Sequence, residues 1–224
     1  MKRISRSLFW IDAILHILSI ILDIDWLRLT TKPLLMVFLG LYLYYSVPMN
    51  RFTQLMLIGV AFSMIGDTML MFEAKPIYFV IGLGSFLIAH VFYILGMSVF
   101  PRFKEGVLIK HWWIAIPVIA YSGLLLRFLL PALGDMTIPV VIYSFVILLM
   151  GLSAINMFNR TSQEAAQLLM FGAILFIFSD SVIAINKFRY EALQIPFPTL
   201  VIMFTYILGQ FLIVESVRTK SSEL

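Results

Sequence analysis

What most constrains this chain is a succession of apolar runs, each long enough to cross a bilayer, from Ser7 to Val217 with little polar sequence between them. A hydrocarbon core of about 30 Å takes about 20 residues of helix. In the absence of water the backbone groups must satisfy one another within each segment, so runs of this length fold as helices. The spacing predicts spans near 7–23, 32–46, 52–72, 78–100, 112–130, 137–157, 165–186 and 197–217. Pro48 with Asn50, Pro101, Pro131 with Gly134, Asn159, and Pro196 with Pro198 punctuate them. Thr31-Lys32-Pro33 is expected to open the second span, with proline in its first turn.

Composition excludes the alternatives. The residues are 62% hydrophobic and 12% charged, where a soluble domain carries about 25% charge. An ordinary globular enzyme, a disordered chain and a free nucleic-acid binder are all ruled out by that balance. Cysteine is absent, which removes disulfides, thiol nucleophiles and zinc–thiolate sites from consideration. The expected fold is an all-α integral membrane protein of about eight transmembrane helices, a single domain over 1–224. Lys2, Arg3 and Arg6 precede the first run, as in a signal peptide. That run continues to Leu22, contains Asp12 and His16, and lacks a small-x-small cleavage site, so it reads as a retained span.

Alternating loops divide the basic residues unevenly. Lys2, Arg3, Arg6, Arg51, Arg102, Lys104, Lys110, Arg160, Arg218 and Lys220 fall on one side; Arg28, Lys32, Lys75, Arg127, Lys187 and Arg189 fall on the other. The richer side is expected to be cytoplasmic, which places both termini there.

The chain also resembles itself. A shift of 113 residues lays Asp67 on Asp180, Gly59 on Gly172 and Thr68 on Ser181. It also lays Tyr93-Ile94-Leu95-Gly96 on the identical Tyr206-Ile207-Leu208-Gly209. Apolar coincidences are cheap in this composition, but two aspartates and a tetrapeptide in one register are not. The expectation is two parallel four-helix repeats, about 1–110 and 111–224, related by an axis along the membrane normal. Such packing would bring Asp67 and Asp180 to similar depth.

An ionisable residue inside a membrane costs at least about 2.5 kcal/mol and reads first as functional. Asp67 and Asp180 lead on that ground, against a plain structural role in helix locking. His90 shares one helix face with Phe86 and Tyr93 and is expected at the depth of Asp67. Lys32, at the expected start of the second span, sits badly with the helix dipole; it either meets an anion, a carboxylate or a phosphate headgroup, or snorkels to the interface. Tyr143, Tyr206 and Gln210 are candidate walls of the site. Asp12 and His16 share a face and are expected to satisfy one another, and Glu215 is expected to be solvated. No spacing marks a metal site, and no cofactor motif occurs.

Three blocks carry a family resemblance. They are Phe62–Leu70, with Gly66-Asp67; Gly82–Tyr93, with Phe86-x-x-x-His90; and Gly172–Ser181, with Ser179-Asp180. With Thr31-Lys32-Pro33-Leu34 and Thr205-Tyr206-x-x-x-Gln210, the chain resembles the YhhN family, which includes the TMEM86 lysoplasmalogenases. The resemblance implies a polytopic hydrolase that cleaves the vinyl ether of lysoplasmalogens, yielding a fatty aldehyde and glycerophosphocholine or glycerophosphoethanolamine. It implies Asp67 and Asp180 as catalytic acids, and the residues themselves offer His90 to relay a proton or orient water. On the reading of the residues the substrate would lie against Lys32, Tyr93, Tyr143, Ser179, Tyr206 and Gln210, with lysophospholipid, water and membrane lipids as partners, and no nucleic acid. Read from the residues alone, the same carboxyls also suit a proton-coupled transporter or a lipid-binding protein.

Overall fold

The computed structural model describes residues 1–72, 75–99 and 103–221. Among these there is helix and no strand. The long helices are α1 (Lys2–Ile21), α2 (Asp25–Ser46), α3 (Arg51–Leu70) and α4 (Pro76–Ser98). After the four-residue α5 (Val107–Lys110) come α6 (Ile116–Leu129), α7 (Thr137–Ile155), α8 (Gln163–Phe188) and α9 (Pro198–Ser221). Pro101 and Arg102, used above as a break and a loop charge, lie outside the described residues, as does the side chain of Lys220.

The helix ends follow from local chemistry. Asn50 accepts a hydrogen bond from the Thr53 amide at 2.9 Å and starts α3. Pro76 occupies the first turn of α4, where its missing N–H costs nothing. Ser162 caps α8 through the Ala165 amide. Between α1 and α2, Asp23 adopts φ 54°. The Ile24 amide then reaches back to the Ser19 carbonyl at 2.9 Å, and the Asp23 amide to that of Ile20, which is a Schellman closure. This tight turn overrides the expected boundary. α2 begins at Asp25, so Lys32 is its eighth residue and Pro33 lies inside the helix. The helix tolerates Pro33 at the loss of one backbone bond. The dipole argument for an anion at Lys32 therefore falls.

Seven of the described helical segments are long and apolar enough to cross a membrane. α2 has their length but carries Asp25, Arg28 and Lys32. α1 shows which way these helices face. Its buried positions are Ser5, Phe9, Asp12, Ala13, His16 and Ser19, while Ile4, Ile11, Ile14 and Leu18 are exposed. Polar residues inside and apolar residues outside invert the pattern of a helix in water. The surrounding medium is lipid, and the protein is integral to the membrane.

The chain forms two compact units, one of residues 1–100 and 214–224, the other of residues 101–213. In the first, α2 packs between α1 and α3, and α3 against α4. Two glycines on α3 receive aromatic rings from α4. A Cβ on Gly59 would lie 2.3 Å from the Tyr93 ring, and one on Gly66 would lie 2.6 Å from Phe86. The same unit takes in the end of α9, where Glu215 is buried, not solvated as expected. Glu215 accepts from the Tyr42 hydroxyl at 2.7 Å and from Arg218 Nε at 2.8 Å. The two partners explain the burial, since an acid so placed must be paired. Glu215→Ala removes the acceptor of both and is expected to cost about 2 kcal/mol, less than a fully buried pair because Arg218 keeps some solvent contact. A lowered melting temperature in detergent checks this.

In the second unit α7 packs on α6 and α8. Leu129, Leu133 and Val140 form an apolar cluster with Phe128, Ile185 and Phe188. Arg189, after the end of α8, donates to the Phe128 carbonyl at 2.8 Å and stacks over its ring. It thus closes the last turn of α6, where a cation also complements the dipole.

Candidate functional site

In the first unit the site is set by the notches of α3. Phe86 and Tyr93 fill Gly66 and Gly59, so the face they share with His90 is the face that packs on α3. His90 is fully buried between them, and Asp67 is 2% exposed. The contacts Gly66–Phe86 and Gly59–Tyr93 also fix the register of the two helices. Asp67 comes level with Ser85, and His90 comes level with Phe62, about 7 Å further along the axis. The expectation of a common depth is corrected on this point. The offset follows from the register of α4 on α3, which the position of each residue within its own span does not fix. Ser63 Oγ and the Tyr93 hydroxyl lie 3.4 Å apart, linking the two helices on the His90 side of Asp67. Ser85, 7% exposed with its hydroxyl on the Ile81 carbonyl, was not foreseen. Its repeat position is Pro198, so the duplication does not mark it.

The second unit holds Asp180 on α8, half-buried, and the Tyr143 hydroxyl from α7 donates to its Oδ2. This bond orients the carboxyl and ties the two helices. Ser179 is fully buried and spends its hydroxyl on the Ile202 carbonyl of α9 at 3.1 Å. Gln210 donates to the Tyr206 hydroxyl at 3.3 Å, and the Tyr206 ring meets Phe176 edge-on at 5.3 Å. Tyr143 is therefore a sequence-predicted wall residue in direct contact with a candidate acid. Ser179, Tyr206 and Gln210 all take part in joining α8 to α9 or bracing α9. Tyr143→Phe, which removes only the donor, is expected to lower activity about tenfold with little loss of stability. Rates and melting curves on the one preparation check it.

α1 departs from expectation. Asp12 and His16 do not bond one another. His16 Nδ1 lies 2.8 Å from Thr31 Oγ1 on α2. Among the described residues no partner reaches Asp12 Oδ2 or His16 Nε2. The reason is geometric, because the imidazole turns toward α2 instead of back along its own helix. No group of three or more metal-ligating side chains occurs among the described residues.

Fold and buried chemistry together define a polytopic helical membrane protein with two acidic centres, one in each unit. Residues 27–217 match the YhhN family, and the chain belongs to it. It is 30% identical over 194 residues to "Lysoplasmalogenase TMEM86B" of Homo sapiens, covering 87% of this chain and 76% of that protein. It is 33% identical over 167 residues to "Lysoplasmalogenase TMEM86A" of Bos taurus, covering 71% of this chain and 63% of that protein. The human TMEM86A lysoplasmalogenase is 32% identical over 167 residues. No solved structure matches.

Proposed function

We propose that this protein hydrolyses the vinyl ether bond of lysoplasmalogens, with Asp67 and Asp180 acting as a pair in acid–base catalysis. The observation that carries the reading is membership of the YhhN family over residues 27–217 together with relatives named as lysoplasmalogenases. The reaction adds water across the bond in steps suited to carboxyl groups. A proton passes to the outer vinyl carbon and leaves an oxocarbenium ion. Water attacks that ion and gives up a proton, and the hemiacetal collapses to a fatty aldehyde and a glycerophospho-alcohol. One carboxyl supplies the first proton, and the other, ionised, steadies the cation and takes the proton from water. Two-carboxyl glycosidases meet a similar cation in this way. His90 serves as a relay, and Tyr143 orients Asp180. The alkenyl chain lies among the apolar side chains of the helices.

Supporting the duplication, position pairs offset by 113 make parallel contacts in the two units. Tyr93 meets Ser63 as Tyr206 meets Phe176, and Gly59 and Gly172 are both sites of close approach. On this reading α2 is the eighth span and both termini are cytoplasmic; reporter activity at the C-terminus only on the outside would reverse the orientation.

The deciding experiment is mass spectrometry of products from purified protein in detergent given a lysoplasmalogen and its saturated ether analogue. Aldehyde and glycerophospho-alcohol from the first substrate alone support the reading. Proton-coupled flux in sealed vesicles with no product would support a transporter instead.

A further inference from the structure

We infer that Asp12 and His16 recognise the free secondary hydroxyl of a lysophospholipid, the group that distinguishes it from a two-chain lipid. The inference rests on the lipid substrate proposed above and concerns α1, which precedes the residues matched to the family.

Asp12 is 5% exposed and His16 is 1% exposed. They sit four residues apart on one helix, so their Cβ atoms are about 5–6 Å apart on one face. Thr31 determines how the imidazole is protonated. Its hydroxyl hydrogen goes to the Leu27 carbonyl at 2.7 Å, an atom that can only accept. The contact between Thr31 Oγ1 and His16 Nδ1 must then take its hydrogen from the imidazole. In the neutral ring Nε2 is left as a bare acceptor. Asp12 Oδ2 and His16 Nε2 are both buried without a partner among the described residues. A buried polar atom left in that condition loses the hydrogen bond that would offset its desolvation.

An alcohol fits this pair because it accepts one hydrogen bond and donates another. With Asp12 in its acid form, Oδ2–H donates to the alcohol oxygen and the alcohol hydrogen goes to Nε2. Both side chains are satisfied and no net charge is buried. An ammonium group, which only donates, suits the pair only with Asp12 ionised and so buries charge, whereas the alcohol buries none.

The position also suits the substrate. Gly40 of α2 lies against Leu57 and Val60 of α3. The helices are antiparallel, so nine residues back along α2, from Gly40 to Thr31, corresponds to nine residues forward along α3, to 66–69. Thr31, and through it His16, is therefore level with Asp67. In a lysoplasmalogen the free hydroxyl stands on the carbon next to the one bearing the vinyl ether. A site that reads this hydroxyl belongs at the level of the acid that protonates the vinyl group, and the match is one of level, since α2 packs between α1 and α3.

The test measures binding, so that it does not depend on turnover. The probes are a lysophospholipid with a saturated ether chain and its 2-deoxy counterpart, built on propane-1,3-diol, each titrated calorimetrically into the full-length protein in nanodiscs. Wild type is expected to bind the hydroxyl form about 30-fold more tightly, since a site built to hydrogen-bond a hydroxyl rejects the analogue lacking it. Asp12→Leu and His16→Leu are expected to bind the two probes within about threefold of each other. Asp12→Asn, which keeps a donor at that place, retains most of the preference. Equal binding of the probes by wild type overturns the inference even if a leucine variant fails to fold. So does undiminished preference in folded leucine variants. If the preference holds but no vinyl ether is cleaved, the hydrolase reading fails and the recognition site stands.

Discussion

Asp67→Asn and Asp180→Asn each lower vinyl ether hydrolysis by about 1,000-fold while the extracted protein keeps its helix content and melting behaviour. The size follows from the task. Carbon protonation in a dry site depends on a positioned acid, and removing a general acid or base typically costs 10²- to 10⁴-fold. Asparagine keeps the shape and can keep the Tyr143 bond to position 180, so the loss falls on proton transfer. The two substitutions together are expected to cost little more than either alone, because groups that act as a unit are not additive. Progress curves with purified variants decide this. Near-normal activity in either single variant removes that residue from the mechanism, and fully multiplicative losses dissolve the pairing of the two.

Gly172→Leu is expected to prevent the second unit from folding, with little protein recovered in a monodisperse form. Even a single Cβ at Gly172 would lie 2.8 Å from the Gly209 carbonyl oxygen and 2.9 Å from the Ile213 amide nitrogen. Both atoms are backbone, so no side chain can move aside, and α8 and α9 would have to separate. Gly172→Ala alone should cost about 3 kcal/mol, in the upper range for overpacking. Gly123→Ala is the control. A Cβ there meets nothing within 4 Å, and alanine in a helix is at least as favourable as glycine. Thermal unfolding in one detergent, followed by size-exclusion profile, compares the three. Equal stability of Gly172→Ala and wild type would contradict the close approach of these backbones.

The two predictions bear on different parts of what could be read in advance. Asp67 and Asp180 stood out because charge within an apolar run is expensive wherever the helix lies, so singling them out needed no coordinates. The Gly59–Tyr93 notch was half legible. The face of Phe86, His90 and Tyr93 follows from helical spacing, but that this face meets α3 does not. Glu215 was misjudged for the same reason. Its position near a helix end suggests water, and only the arrival of Tyr42 from α2 buries it. Asp12 and His16 were correctly placed on one face and wrongly paired, because the competing partner, Thr31, lies on another helix.

Sequence alone determined the solvent, the helices and the residues that pay most for being there, since these depend on local composition and on the 3.6-residue period. The start of α2 lies in a local turn at a left-handed Asp23, whereas the five-residue offset of His90 from Asp67 and the turn of His16 toward Thr31 were decided by tertiary structure. Register between helices is set by which knobs fit which notches, a relation between distant parts of the chain that no local pattern encodes.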